Sequence, residues 1–292
     1  MRTLNVTGEF TATLGNMSAL KVGVLHPGEM GVAIAQSAID SGCTVFWASQ
    51  GRRSQTRNRA DSARLIDLVT VDRLSEECDV ILSVCPPEFA DDVAQAVAAT
   101  GFTGIFADLN ATAPQRKIAF GKMLRGRRMR FADGGIIGMP TRTLGQTTVF
   151  LSGEAAHDVA ACFAKGAIGA SILGDEPGRA SALKILFAAH NKGNIALLTS
   201  LYAAAQHYGL LDELQRQFAG RGLALATIEA QILRSAPKAW RWVAEMHEIS
   251  AALDAGNILG DFHRAAAIVY ERLASFKDAE GLALSDVISK AG

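Results

Sequence analysis

Two glycines and two arginines set the first chemical expectation. In Lys21-Val-Gly-Val-Leu-His-Pro-Gly-Glu-Met-Gly31 a short apolar run passes through a turn into an apolar helical pattern (Met30, Val32, Ala33, Ile34). The N–H groups of a helix's first turn lack intrahelical partners and sit at the positive end of its dipole, so they suit a phosphate. Glycine lets a pyrophosphate approach the main chain and lets the helix pack on the strand. The pattern G-x-G-x-x-G is met by His26, Gly28 and Gly31, with histidine in place of the first glycine. His26, Pro27, Gly28, Glu29, Met30 and Gly31 are therefore candidates for holding a dinucleotide. His26 itself is read as a turn residue in an unusual backbone conformation, with an imidazole near the phosphates or nicotinamide as the alternative. The second apolar run leads into Ser49-Gln-Gly-Arg-Arg-Ser54. An NAD site usually has an acid there for the ribose hydroxyls, and this loop has none. Ser49, Arg52, Arg53 and Ser54 instead match a 2′-phosphate in charge and geometry. The expected cofactor is NADP(H) in preference to NAD(H).

The elements that must position this loop follow from periodicity. Short apolar runs at Lys21–Leu25, Thr44–Ala48, Asp79–Val84, Gly104–Asp108, Met129–Asp133 and Thr147–Leu151 predict strands. Helical patterns at Glu29–Ser41, Gln55–Ile66, Glu88–Ala99 and Ala113–Leu124 lie between them. Such alternation predicts a parallel, doubly wound sheet. After Gly174 strand signals stop. Helices are expected at Pro177–Gly209, with Gly178 and Gly193 as weak points, then at Leu211–Arg234, Lys238–Ala255 and Phe262–Phe276. The expected fold is an α/β Rossmann N-terminal domain plus an all-α C-terminal domain, joined by a long interdomain helix. Its expected divisions are a flexible extension at 1–19, a dinucleotide-binding domain at 20–174 and a helical substrate and dimerisation domain at 175–292.

Composition narrows the function classes. The 292 residues include 49% hydrophobic and 20% charged side chains, with a formal net charge of zero. That argues against a nucleic acid or an acidic membrane as partner and for a small-molecule substrate. The basic run Arg125–Arg130 is read as a solvated helix end before a strand. Cys43, Cys78, Cys85 and Cys162 form no C-x-x-C pair, and no histidine cluster has zinc spacing, so no metal is expected and free thiols in a reducing compartment are. No apolar run reaches the ~20 residues that span a bilayer. Met1–Ser18 lacks the charged start and apolar core of a secretory signal, and reads as an extension or as sequence upstream of a start at Met17. The expected location is the cytoplasm.

From about Leu20 to about Leu273 the chain resembles the 6-phosphogluconate dehydrogenase and β-hydroxyacid dehydrogenase superfamily, in particular a branch with a phosphogluconate-dehydrogenase-like C-terminal domain. The resemblance rests on the order and spacing of Gly28-Glu-Met-Gly31, Asp108-Leu-Asn-Ala-Thr-Ala-Pro114, Asp133-Gly-Gly-Ile-Ile-Gly138, Lys184 and Trp242-Val-Ala-Glu-Met-His-Glu-Ile249. It implies an active site in the cleft between domains and a helical domain that dimerises. It also implies reversible hydride transfer between NAD(P) and a hydroxyl carbon, with a lysine as general acid/base and an asparagine orienting the substrate. Lys184 takes the lysine position. An ammonium there can stabilise charge building on a carbonyl oxygen and deliver the proton, provided burial or nearby cations lower its pKa.

Departures from the family pattern shape the substrate expectation. Ala188 stands where the asparagine is usual. Asn191, one helical turn further on the same face, is the expected substitute, and Lys192 is a rival proton donor. Ile137 and Gly138 replace a Ser-Gly pair that grips a carboxylate, and Glu245-Met246 replaces Lys-Asp, reversing a charge. These changes point to a larger, less anionic, amine-bearing substrate, unless Glu245 and Glu248 simply form a solvated helix face. Asn110 is expected near the nicotinamide ribose, with helix capping by Asn110 and Thr112 as the other reading. Cys85 and Pro86 should touch the cofactor through backbone and apolar surface. Cys85 has no partner histidine and is not expected to be a nucleophile. The resulting expectation is an NADP-dependent oxidoreductase acting on a carbonyl or hydroxyl carbon. Its alternatives are an imine reductase and, in another class, a catalytically inactive dinucleotide-binding sensor or scaffold. A homodimer is expected, although Trp240, Trp242, Met246 and Ile249 suit the subunit core as well as an interface.

Overall fold

The computed structural model describes residues 19–292. The expected N-terminal extension and the choice between Met1 and Met17 lie outside the described residues. Eight strands form one sheet: β1 (Lys21–Leu25), β2 (Thr44–Trp47), β3 (Ile66–Asp67), β4 (Val80–Ser83), β5 (Ile105–Asp108), β6 (Arg130–Gly138), β7 (Thr147–Ser152) and β8 (Gly169–Ile172). Their order is β3-β2-β1-β4-β5-β6-β7-β8. The sheet strands carry α1 (Glu29–Asp40), α2 (Ser54–Ser62), α3 (Val71–Glu77), α4 (Ala90–Ala99), α5 (Pro114–Arg125) and α6 (Ala156–Ala160). Strand order reverses between β1 and β4, and in open α/β sheets ligands bind in the crevice beyond the strand C-termini at such a point.

The sheet differs from the expected one at its far edge. β7 runs antiparallel to β6, and β8 runs parallel to β7. The sixth strand also does not stop at Asp133. It continues to Gly138, paired with β7 through Ile137 opposite Thr148 and Gly138 opposite Thr147. Ile137 and Gly138 are therefore strand residues, not loop residues, because β7 supplies a ladder for them beyond the point where β5 ends. β3, α3 and β8 have too few residues to show a period and were not expected.

Helices dominate from Arg179 onward: α7 (Arg179–His207), α8 (Leu211–Gly220), α9 (Leu225–Ser235), α10 (Ala239–Ala255), α11 (Asp261–Leu273) and α12 (Leu284–Ala291). The expected helix over Leu211–Arg234 is two helices, broken where Gly222 takes φ +82°. Gly193 does not break α7. A side chain there would press on Phe262 and His263 of α11, so glycine permits helix packing. Tyr202, Met246, Ile249, Ala267 and Tyr270 fill the core of this helical part. A separate apolar core lines each face of the sheet.

The two parts are joined through a set of buried charges. Asp108 and Asp133 end up opposite each other in the β5–β6 register. Lys117 of α5, fully buried, places Nζ 3.0 Å from Asp108 Oδ2 and 3.8 Å from Asp133 Oδ1, and donates to the Asp108 carbonyl at 2.6 Å. Asp133 Oδ2 accepts from the Gly178 N–H (2.8 Å), the Ser181 N–H (3.1 Å) and the Ser152 hydroxyl (2.9 Å). Ser152 Oγ in turn accepts from the Ala180 N–H at 3.1 Å. The first turn of α7, which has no cap from its own N-cap residue Gly178, is thus capped from β6 and β7. Gly135 completes the contact, since a Cβ there would lie 2.7 Å from Cβ of Lys184.

Replacing Lys117 by methionine should cost roughly 3–5 kcal/mol, the usual result of stranding buried partner charges. Urea unfolding of the variant checks this. A loss under about 1 kcal/mol, the scale of an exposed pair, would show that the carboxylates do not depend on the ammonium.

Candidate active site

The loop expected to hold phosphate follows β1. His26 adopts φ +68°, the left-handed conformation the turn reading expected. Gly31 lies so close to the His26 carbonyl oxygen that no side chain fits between helix and loop. Gly28, the N-cap residue of α1, has open space around the position of a Cβ and offers no side-chain cap to the helix's first N–H groups. Glu29 is exposed and faces Arg59 of α2 at 3.7 Å.

Arg52 bends inward from the β2–α2 loop. Its Nε is buried with no partner among the described residues, and its charge acts on His26. Burial, with help from Arg52, lowers the His26 pKa to about 4. Ser49 is buried, whereas Arg53 and Ser54 are exposed. Arg57, which carried no signal in the sequence, braces the loop by donating to the carbonyls of Ser49 (3.1 Å) and Arg52 (3.2 Å).

Asn110 is buried at the end of β5 and its amide is engaged on both sides. Its Oδ1 accepts from the Cys85 N–H at 2.5 Å, and its Nδ2 donates to the Ser83 hydroxyl at 3.1 Å. It therefore fastens the loops after β4 and β5 to one another. The Cys85 thiol is pushed up to about 12 by burial and by Asp108, so it is protonated at neutral pH. Pro86 follows it and leads into the short 3-10 turn Pro87–Phe89.

Lys184 sits in the second turn of α7, against β6. Its pKa is lowered to about 8, first by burial and then by the nearby Lys192 charge, with Glu245 opposing. Lys192 is held from several directions. It is ion-paired with Glu245 of α10, and its Nζ lies 5.1 Å above the Trp242 ring. Its backbone carbonyl accepts from the Tyr270 hydroxyl at 2.6 Å. Asn191, in contrast, is exposed and lies beside His190, whose Nδ1 is 3.0 Å from its Oδ1. The side chain that α7 turns toward Lys184 is Lys192, one residue later, because at this depth α10 and α11 cover that face of the helix.

Glu245 and Glu248 do not form a solvated face. Glu248 accepts from the Ala113 N–H at 2.6 Å and is ion-paired with Arg116. Arg116 also reaches the Pro87 carbonyl (3.2 Å) and Asp91 (2.9 Å). Arg116 and Lys117 are the residues of greatest consequence with no signal of their own in the sequence. The hint available was the pair of aspartates ending adjacent strands, which needs a counter-charge. Among the described residues no group of histidine, cysteine and carboxylate side chains could hold a metal ion, and no helix is long and apolar enough to cross a membrane.

The geometry can be set beside known proteins. Mycobacterium tuberculosis 3-hydroxyisobutyrate dehydrogenase, solved with L-serine, has a TM-score of 0.69 over 93% of this chain and 98% of its own, at 16% identity. The chain shares the two-part fold of that enzyme. The same fold relates it to a reductive aminase from Aspergillus terreus solved with NADPH and ethyl levulinate, with a TM-score of 0.57 over 93% of this chain and 99% of that one, at 17% identity. Residues 205–273, from the end of α7 through α11, match a family described as a domain of unknown function, DUF1932. An uncharacterised 28.5 kDa protein of Methanothermus fervidus is 26% identical over 195 residues, covering 67% of this chain and 74% of its own.

The Lys184 amine should titrate near pH 8 when followed by NMR of 13C-methylated lysines. Lys192→Met should move the midpoint up by removing a like charge, and Glu245→Gln should move it down. An ordinary lysine midpoint in the unmodified sequence would mean that the amine is solvated.

Proposed function

We propose that the protein is an NADP(H)-dependent oxidoreductase that transfers a hydride between the nicotinamide and a carbonyl or hydroxyl carbon of a small molecule, with Lys184 as general acid/base. One observation carries this reading: a lysine with a depressed pKa is anchored by its helix to the strand that leaves the sheet's C-terminal edge. Near neutral pH an amine titrating at about 8 is mostly protonated but can still change state. It can give a proton to an oxygen that gains charge and take it back in the reverse direction.

The residues at β1 and β2 fit a dinucleotide. The open space at Gly28, the start of α1 without a side-chain cap and the buried Nε of Arg52, unpartnered among the described residues, are what an anionic ligand would satisfy. His26 through Gly31 would hold the pyrophosphate, and Ser49, Arg52, Arg53 and Ser54 the 2′-phosphate. Cys85, Pro86 and Asn110 would line the nicotinamide side. The bound cofactor would supply the hydride. Lys184 would handle the proton, and Ile137 with Gly138 would border the substrate along β6.

The Lys192–Glu245 pair bears on the substrate. Glu245 reverses a family charge, but Lys192 neutralises it. With Lys184 protonated the cluster keeps one surplus positive charge, which favours a carbonyl or a weakly anionic substrate over a cationic amine. A homodimer belongs to the same proposal. Leu186, Leu197 and Leu201 of α7 and Phe262 and Ile268 of α11 are exposed, and they are apolar side chains that a second subunit would cover. Met246 and Ile249 are in the subunit core and are accounted for without an interface.

NADPH should bind tightly and NADH weakly in calorimetry. Arg52→Ala/Arg53→Ala should weaken NADPH roughly 10- to 100-fold, the worth of charge-assisted hydrogen bonds, and weaken NADH, which lacks the 2′-phosphate, by less. Lys184→Ala should keep cofactor binding and lose about 100-fold or more of turnover on whichever ketone, hydroxy acid or imine a screen identifies. Unchanged turnover in Lys184→Ala would remove the lysine from the chemistry, and failure to bind either nucleotide would remove the dinucleotide reading.

A further inference from the structure

The phosphate loop departs from the glycine pattern at one position, and a titratable side chain stands there. His26 takes the first glycine's place at φ +68°, a conformation glycine would adopt without strain. Its Nδ1 is buried with no hydrogen-bond partner among the described residues, and so is the adjacent Arg52 Nε. Two nitrogens that could each meet an acceptor are therefore unmatched among the described residues, one in the loop that leads into α1 and one on the arginine whose charge acts on it.

The surroundings explain why the ring is neutral without a ligand. Burial and the Arg52 charge hold the His26 pKa at about 4, and only the Leu25 backbone favours the protonated form. From the end of β4, Cys85 contributes a protonated thiol and so no negative charge. From α1, the Glu29 carboxylate faces Arg59 instead. An anion placed there would reverse the balance, offsetting Arg52 and favouring the imidazolium, which donates from both ring nitrogens.

We propose that the phosphates of the dinucleotide bind together with a proton, taken up from solvent by His26, so that cofactor affinity depends on pH through this residue. The inference rests on the dinucleotide-binding reading above. Its sign follows from linkage. The complex carries more protons than the free protein, so affinity is greatest at low pH and falls as pH rises through the His26 pKa of the complex. Below the free-state value of about 4 both states are protonated and the dependence vanishes. His26 would thus restore to the loop a positive charge that exists only while the ligand is present.

Calorimetry of NADH and NADPH binding at about pH 6, near the ordinary histidine pKa, tests this in two buffers of different ionisation enthalpy. NADH binding should take up roughly half to one proton. The 2′-phosphate of NADPH titrates in the same range and adds its own contribution, which is common to the native protein and a His26→Asn variant. Asparagine tolerates the left-handed backbone and carries no titrating group, so the difference in proton count between the two proteins isolates His26. NMR of the His26 ring in the saturated native complex gives a second reading that needs no variant, and the ring should be protonated. Equal proton counts in native protein and variant, or a neutral ring in the complex, would overturn the inference and leave the dinucleotide reading intact. Absence of binding by either nucleotide would overturn both.

Discussion

Two aspartates side by side in a dry sheet make an unstable arrangement, and much of this molecule is organised around resolving it. Asp108 and Asp133 face each other across neighbouring strands and are almost wholly buried. Burying such charges without partners would cost more than a domain's net stability can absorb. One counter-charge is Lys117, drawn fully into the interior from α5. The other is the positive end of α7, whose first N–H groups converge on Asp133. The second solution has a structural consequence. It fixes where the long helix starts and which way it points, so Lys184, one turn beyond Ser181, is set against β6 by the same contact that neutralises the aspartate. The chemistry proposed for Lys184 thus depends on an electrostatic requirement of the sheet.

The strongly periodic parts of this fold were legible in the sequence. β1 and the phosphate turn have hydrophobic runs and glycines whose physical roles are local, and α7 is long enough to survive an internal glycine. What was hidden depends on partners distant in the chain. β6 reads as ending at Asp133 because Gly134 and Gly135 have no β-propensity. It continues because β7 pairs with it and because glycine lets α7 approach. Lys117 lies in a helix of mostly polar residues and looks like any surface lysine until the two strand-end aspartates are seen to be neighbours. In the site, residue types were legible and their partners were not. Glu245 was visible as a reversed charge. That Lys192 would neutralise it follows only from the crossing of α7 and α10.

This crossing changes the meaning of the charge reversal. Considered alone, a carboxylate beside the substrate suggests a cationic ligand. Paired with Lys192, it mainly holds a second ammonium near the first, supported by the face of Trp242 and by Tyr270 on the backbone behind it. The Lys192 ammonium depresses the Lys184 pKa and the Glu245 carboxylate opposes it, and the three groups together keep a positive charge in the site. Burial contributes most to the shift, and the like charge of Lys192 adds to it. An arrangement with a single buried lysine would gain only the first effect.

The same helix also reaches the loops after β4 and β5. Glu245 and Glu248 are three residues apart on α10, close to one turn, and so emerge on one face. The first holds Lys192. The second accepts from the N–H that opens α5 and pairs with Arg116, which continues to Pro87 and Asp91. Asn110 then ties the β5 end to the β4 end. One rigid helix therefore contacts both the lysine pair and the loops that would border the nicotinamide. Two carboxylates a turn apart on a helix cannot move independently of each other. A displacement of α10 that frees Glu248 from the α5 start must also disturb Glu245, and with it the charge felt by Lys184. The charge beside Lys184 and the anchoring of the loops after β4 and β5 thus rest on one helix, α10.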